Sequence, residues 1–172
     1  MFKHLLSALF LCIISSSSYA NIEVQFRDGA PKDKFTISNT SKCDVQKIAM
    51  NIDLTNSNGR LIFDTTASGQ GVEVFQPFEV TKGQVSLNKT GNVNDGDKLL
   101  SLIITSIAAN DTASFTIDVD DTLAKSELGN IRVTDAEIAK GTVSATINNN
   151  EVLNATFDDK GKAVLLMANC AN

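Results

Sequence analysis

Short segments that alternate apolar and polar residues recur along most of this chain. Ile22-Glu23-Val24-Gln25-Phe26 puts its three apolar side chains on one side, the period of two that marks a half-buried β-strand. Phe35-Thr36-Ile37 repeats the pattern after the turn residues Asp28-Gly29-Ala30-Pro31, so the two segments predict a first hairpin. Ile48-Ala49-Met50-Asn51-Ile52-Asp53-Leu54 is a longer alternating strand closed by Asn56-Ser57-Asn58-Gly59. Leu61-Ile62-Phe63 is apolar throughout and predicts a short buried strand. Val72 to Val80 alternates but holds Pro77, which brings no N–H to a ladder and so predicts an edge strand or a bulge.

Val85 and Leu87 predict a weak strand, followed by a polar surface loop from Asn88 to Lys98. Leu99 to Ile107 would also suit a helix face through Leu99, Ile103 and Ile107, but the β-branched run Ile103-Ile104-Thr105 favours a strand. Ser114-Phe115-Thr116-Ile117-Asp118-Val119-Asp120-Asp121 alternates strictly, with Phe115, Ile117 and Val119 on the core side and Thr116, Asp118 and Asp120 on the other. Thr122 to Gly129 predicts a loop with room for one helical turn, and Ile131-Arg132-Val133 and Val143 to Ile147 predict two further strands. Val152 to Phe157 is expected to pair with Ala163 to Met167 across Asp158 to Lys162 as a final hairpin. About ten short strands with polar turns and no long helix predict an antiparallel β-sandwich of immunoglobulin-like type, with a β-barrel as the alternative.

The first twenty residues follow a different rule. Lys3, the apolar run from Leu5 to Ile14 and the small residues Ser18 and Ala20 have the layout of a secretory signal peptide, so residues 1–20 are expected to be removed. The run is too short to span a bilayer, and no later segment approaches the length that a span needs. With no internal repeat and no linker, residues 21–172 are expected to form a single domain that is secreted, periplasmic or held at the cell surface.

Export changes the available chemistry. His4 and Tyr19, the only residues of their kinds, lie in the signal, and tryptophan is absent. The processed chain therefore has no imidazole for a Ser-His-Asp or Cys-His mechanism or for a catalytic zinc site, and it is expected not to be an enzyme. The net charge is −5, one unit more negative without Lys3, which excludes the basic footprint that nucleic acid needs. Cys12 also leaves, so Cys43 and Cys170 remain, and in an oxidising compartment they are expected to form a disulfide. Four Asn-X-Ser/Thr triplets begin at Asn39, Asn88, Asn110 and Asn154, at a frequency that chance explains in a chain this rich in those residues.

The acidic end of the central strand is the candidate site. Calcium takes six to eight oxygens from carboxylates, carbonyls and waters, and Asp118, Asp120 and Asp121 could supply several, with Asp95, Asp97 or Glu137 completing the shell. The spacing is not that of an EF-hand, and a solvated, charged strand end is the competing explanation.

Several segments together resemble the aggregation factor core family of sponges and its bacterial exported relatives. They are Gly29-Ala30-Pro31-Lys32-Asp33-Lys34-Phe35, Leu61-Ile62-Phe63-Asp64-Thr65, Gly71-Val72-Glu73-Val74-Phe75-Gln76-Pro77-Phe78-Glu79, Phe115 to Thr122, and Glu137-Ile138. The resemblance implies a domain that self-associates in an extracellular adhesion particle whose aggregation depends on calcium. It brings no catalytic residues. The expected function is thus non-enzymatic adhesion or aggregation through self-association or other surface proteins. The alternative is a periplasmic or secreted module that binds a glycan or small ligand.

Overall fold

A computed structural model describes residues 20–67, 69, 71, 75–88, 93–125, 132–148 and 151–167. Among them are eleven strands and no helix. In chain order they are β1 (Ala20–Arg27), β2 (Asp33–Asn39), β3 (Val45–Asp53), β4 (Ile62–Asp64), β5 (Glu79–Lys82), β6 (Val85–Leu87), β7 (Leu99–Ile107), β8 (Thr112–Asp120), β9 (Thr142–Ile147), β10 (Glu151–Thr156) and β11 (Lys162–Met167). The segment predicted to be signal peptide lies outside the described residues up to Tyr19.

Two antiparallel sheets pack face to face, so the chain is a β-sandwich. The first has the order β11-β1-β2-β8-β4, with β5 also paired to β8, and the second has the order β10-β9-β3-β7-β6. The period of two sets the layers. Ile22, Val24 and Phe26 of β1, Ile48, Met50 and Ile52 of β3 and Leu100, Leu102 and Ile104 of β7 all face inward with at most 1% exposure. The hairpin of β1 and β2 forms as predicted and aligns Phe26 with Phe35, and Phe35 is aligned in turn with Phe115 of β8. This register makes an aromatic row: the Phe26 and Phe35 centroids are 5.1 Å apart, Phe35 stacks on Phe115 at 5.1 Å, and Phe78 follows at 5.0 Å from Phe115. Leu99 to Ile107 is a strand, because its inward residues fill the core that a helix of the same sequence would leave half empty.

Three expectations are corrected. The last two strands do not pair with each other: β10 pairs with β9 and β11 with β1, so residues 157–161 carry the chain from one sheet to the other. Phe26 donates its N–H to the Gly161 carbonyl (2.8 Å), and the Gln25 amide donates to Lys160 and Gly161 carbonyls, which commits β11 to β1. The pattern of apolar residues is the same for a hairpin and for a crossing between sheets. Second, of the segment Val72 to Val80, residues 72–74 lie outside the described residues, 75–78 are not a strand, and pairing begins only at Glu79, beyond Pro77. Third, Arg132 and Val133 are not in a strand, and Val133 is buried in the core. Ile131 and residues 126–130 of the predicted loop lie outside the described residues.

The aromatic row joins three strands of one sheet, and its members Phe26, Phe35 and Phe115 are fully buried. Phe35→Ala is expected to cost about 3–5 kcal/mol, read as a lower urea midpoint with little change in slope. A loss below about 1 kcal/mol would show that the row does not hold the sheet together.

Candidate cation centre

β8 is an interior strand of its sheet, next to the edge formed by β4 and β5. One edge pairs with β2, and the other is shared along its length, with β5 taking residues 114–116 and β4 taking residues 118–120. β4 is placed by bonds on its far side as well: Phe63 donates to the Asp97 carbonyl (2.9 Å) and accepts from Gly96 (3.0 Å). Between β4 and β5, Gln76 donates to the Asp64 carbonyl at 3.4 Å and accepts from the Asp118 N–H at 3.2 Å.

The β4–β8 register sets Ile62 against Asp120, Phe63 against Val119 and Asp64 against Asp118. Directly opposed residues in an antiparallel pair have Cβ atoms about 4.5–5.5 Å apart on one face, and like charges there repel. Asp120 lies on the same face, two residues along. One carboxylate oxygen from each of Asp64, Asp118 and Asp120 lies within 4.8 Å of the other two. Their exposures are 1%, 5% and 2%, so this is not the solvated strand end that the sequence also allowed. Gly71 lies against the group, since a Cβ at that position would collide with the Asp64 carboxylate. Among the described residues, Asp118 Oδ2 has no hydrogen-bond partner.

A fourth buried carboxylate adjoins the three. Asp33, at the start of β2, accepts the Gly29 N–H on Oδ1 and the Val119 N–H on Oδ2, each at 3.0 Å. Burial pushes its pKa from 3.8 up to about 8; the two backbone bonds pull it down, and the charges of Asp118 and Asp28 add to the rise. Burial likewise raises Asp118 to about 7, helped by Asp120 and then Asp64, with a bond from Val119 acting the other way.

Of the residues singled out in the sequence, Asp118 and Asp120 are brought together. Asp121 is equally buried but is not part of the group, and its Oδ1 accepts the Leu123 N–H at 3.0 Å. The three residues expected to complete a shell are committed elsewhere. Asp95 accepts from Thr65 N (2.7 Å), Thr65 Oγ1 (2.9 Å) and Thr66 N (2.8 Å), tying the segment after β4 to the turn before β7. Asp97 caps Asn94 at 2.7 Å, and Glu137 closes a turn on Thr134 at 2.7 Å. A cleft of about 280 Å³ beside Asp95 is lined by Thr65, Thr66, Gly69, Val93 and Asn94.

Sequence reasoning missed Asp64 and Asp33. A lone acid ending the all-apolar run Leu61-Ile62-Phe63 was a signal, but only the pairing register says which strand it faces. Asp33 reads as a turn residue until its two backbone donors are seen. No family model matches the chain, and no curated protein matches it significantly.

The arrangement can hold a divalent cation. Oxygens around one calcium ion at 2.3–2.6 Å lie no more than roughly 5 Å apart, a span that the three carboxylates already meet. Without a cation, taking up protons relieves their mutual repulsion. A carboxyl with a higher pKa in the folded chain than in the unfolded one favours folding when protonated. That gain is complete below about pH 4 and is lost as pH rises through 7 to 8, the values set by Asp118 and Asp33. In chelator, the melting temperature is therefore expected to fall from pH 5 to pH 8.5. Asp118→Asn should flatten the fall and unfold with on the order of 1–3 kcal/mol more stability at pH 8. A melting temperature that rises across that range would contradict the placement of these groups.

Proposed function

We propose that this chain is an exported, non-enzymatic adhesion domain that acts by self-association, and that its working form holds a calcium ion through Asp64, Asp118 and Asp120. The observation that carries the reading is the buried group itself: three carboxylates on one face of a strand pair, one of which, Asp118, is 5% exposed and has an oxygen without a hydrogen-bond partner. A solvated acidic edge would leave those oxygens in water. Calcium is the cation proposed, because it accepts carboxylates in flexible geometry at 2.3–2.6 Å, whereas magnesium demands near-ideal octahedral geometry at 2.0–2.1 Å. The resemblance to the aggregation factor core family supports the adhesion reading, since its segments include both β4 with Asp64 and the end of β8.

The runner-up, a glycan or small-ligand module, is favoured by the cleft beside Asp95, whose hydroxyl and amide lining suits a polar ligand. The two readings separate with the processed chain. Adhesion predicts that 1–5 mM calcium raises the melting temperature by several degrees and shifts the chain to larger species, that chelator reverses both, and that Asp64→Asn or Asp118→Asn abolishes both. A monomer indifferent to calcium whose melting temperature rises with a sugar would replace the adhesion reading by the runner-up.

A Cys43–Cys170 disulfide is part of the proposal. Cys43 lies in the β2–β3 loop, where Asn39, 1% exposed, donates to the Cys43, Ile107 and Ala108 carbonyls at 2.7, 3.0 and 3.1 Å. Asn39 is thereby a buried staple and not a glycan acceptor. Thr40 donates to Asn21, and the neighbouring Ala20 is aligned with Met167, so the chain leaves β11 at the end of the sheet where that loop lies. Cys170 is outside the described residues. Reduction is expected to cost about 2–5 kcal/mol, read by denaturant unfolding with and without reductant. Equal stability in both conditions would remove the disulfide from the account.

A further inference from the structure

The outer face of the second sheet differs from the rest of the surface. On β3, β6, β7, β9 and β10 the inward residues are buried and outward ones form three rows across the strands, set by register, with the exposed Lys47 of β3 lying outside them. One row runs Ser86, Ile103, Ala49, Thr146, Val152. The next runs Ser101, Asn51, Ser144, Asn154, with Ser101 Oγ donating to Asn51 Oδ1 at 2.8 Å. The third runs Leu99, Asp53, Thr142, Thr156. Asp53 is the single charged residue in the three rows, and its Oδ1 is already taken by the Thr55 N–H at 2.9 Å. Leu99, Ile103 and Val152 are 51%, 38% and 66% exposed. The opposite sheet also exposes Leu166 and Val80, but among charges, with Lys34 exposed on β2 and a Lys162–Glu23 pair across β11 and β1.

We infer that this face is where a second copy of the chain docks, an inference that rests on the self-association reading and supplies its surface. Two arguments select a copy of the same chain. The protein carries a net charge of −5, so two copies repel unless they meet where charge is scarce, and these rows provide such a place. The polar side chains there are hydroxyls and amides, which both donate and accept hydrogen bonds, so the face complements itself across a two-fold axis as an ionic face of one sign does not. Its small residues let the two sheets approach to about the 10 Å at which sheets stack.

The size of the face sets the strength. Five strands about 4.8 Å apart and some six residues long cover roughly 500 Å², or about 1,000 Å² counted over both partners. That is near the lower limit for a specific interface, so the pairing is weak and is felt when many copies are presented together.

The test is sedimentation of the processed chain in calcium over a concentration series, comparing wild type with Ala49→Lys, with Ser144→Lys, and with Ser38→Lys on the outer side of the other sheet as a control. The wild type and the control are expected to associate with the same midpoint, and each face variant at tenfold or higher concentration, with unchanged melting temperature. Face variants that associate like wild type would overturn the inference and leave the adhesion reading standing, with strand edges as the contact. A wild type that stays monomeric throughout would defeat the adhesion reading and the face together. A monomer whose retention on an insoluble glycan is lost in the face variants would give the face to a glycan instead.

Discussion

The opposition of Asp64 and Asp118 across the β4–β8 ladder is the constraint from which the account proceeds. Strand pairing usually avoids two like charges directly opposite each other, and here a third stands two residues along the same strand. In water the repulsion would be slight. Removed from water, each carboxylate becomes costlier as an anion, and a proton or a cation offsets that cost. The fold could relieve the strain by slipping the register of a three-residue strand, yet a slip of one residue would turn Ile62, which is fully buried, and Phe63 to opposite faces. The core therefore enforces the meeting of the acids.

This couples the site to a vulnerable part of the sheet. β4 is only three residues long, and its neighbour β5 is exposed throughout. Their shared edge of β8 is held by Gln76 between them, by the Asp97 and Gly96 backbone beyond, and by the Asp95 carboxylate capping the residues that follow Asp64. A cation shared by β4 and β8 would cross-link the shortest strand of that sheet to the interior strand beside it. That gives a physical route from calcium to the order of one sheet edge without any movement of the core.

Much of the fold was legible because its information is local. Alternation in Ile22 to Phe26, Ile48 to Leu54 and Phe115 to Val119 gave both the strands and their buried sides, and the turn residues before Asp33 gave the first hairpin. What failed depended on partners distant in sequence. Residues 151–167 look like a hairpin whether or not the strands separate into two sheets, and the choice was made by Phe26 and Gln25, far earlier in the chain. The site divided in the same way. Asp118 and Asp120 stood out on one strand, while Asp64 became visible only through its register, and Asp121, adjacent in sequence, instead accepts the Leu123 N–H.

The most direct test of the central claim is calorimetric titration of calcium into chelator-stripped processed chain at pH 7.5. The account predicts one saturable site per chain, absent in Asp64→Asn as well as in Asp118→Asn, although Asp64 lies more than fifty residues before Asp118 in the sequence. Binding that survives loss of Asp64, or no binding at millimolar calcium, would contradict it.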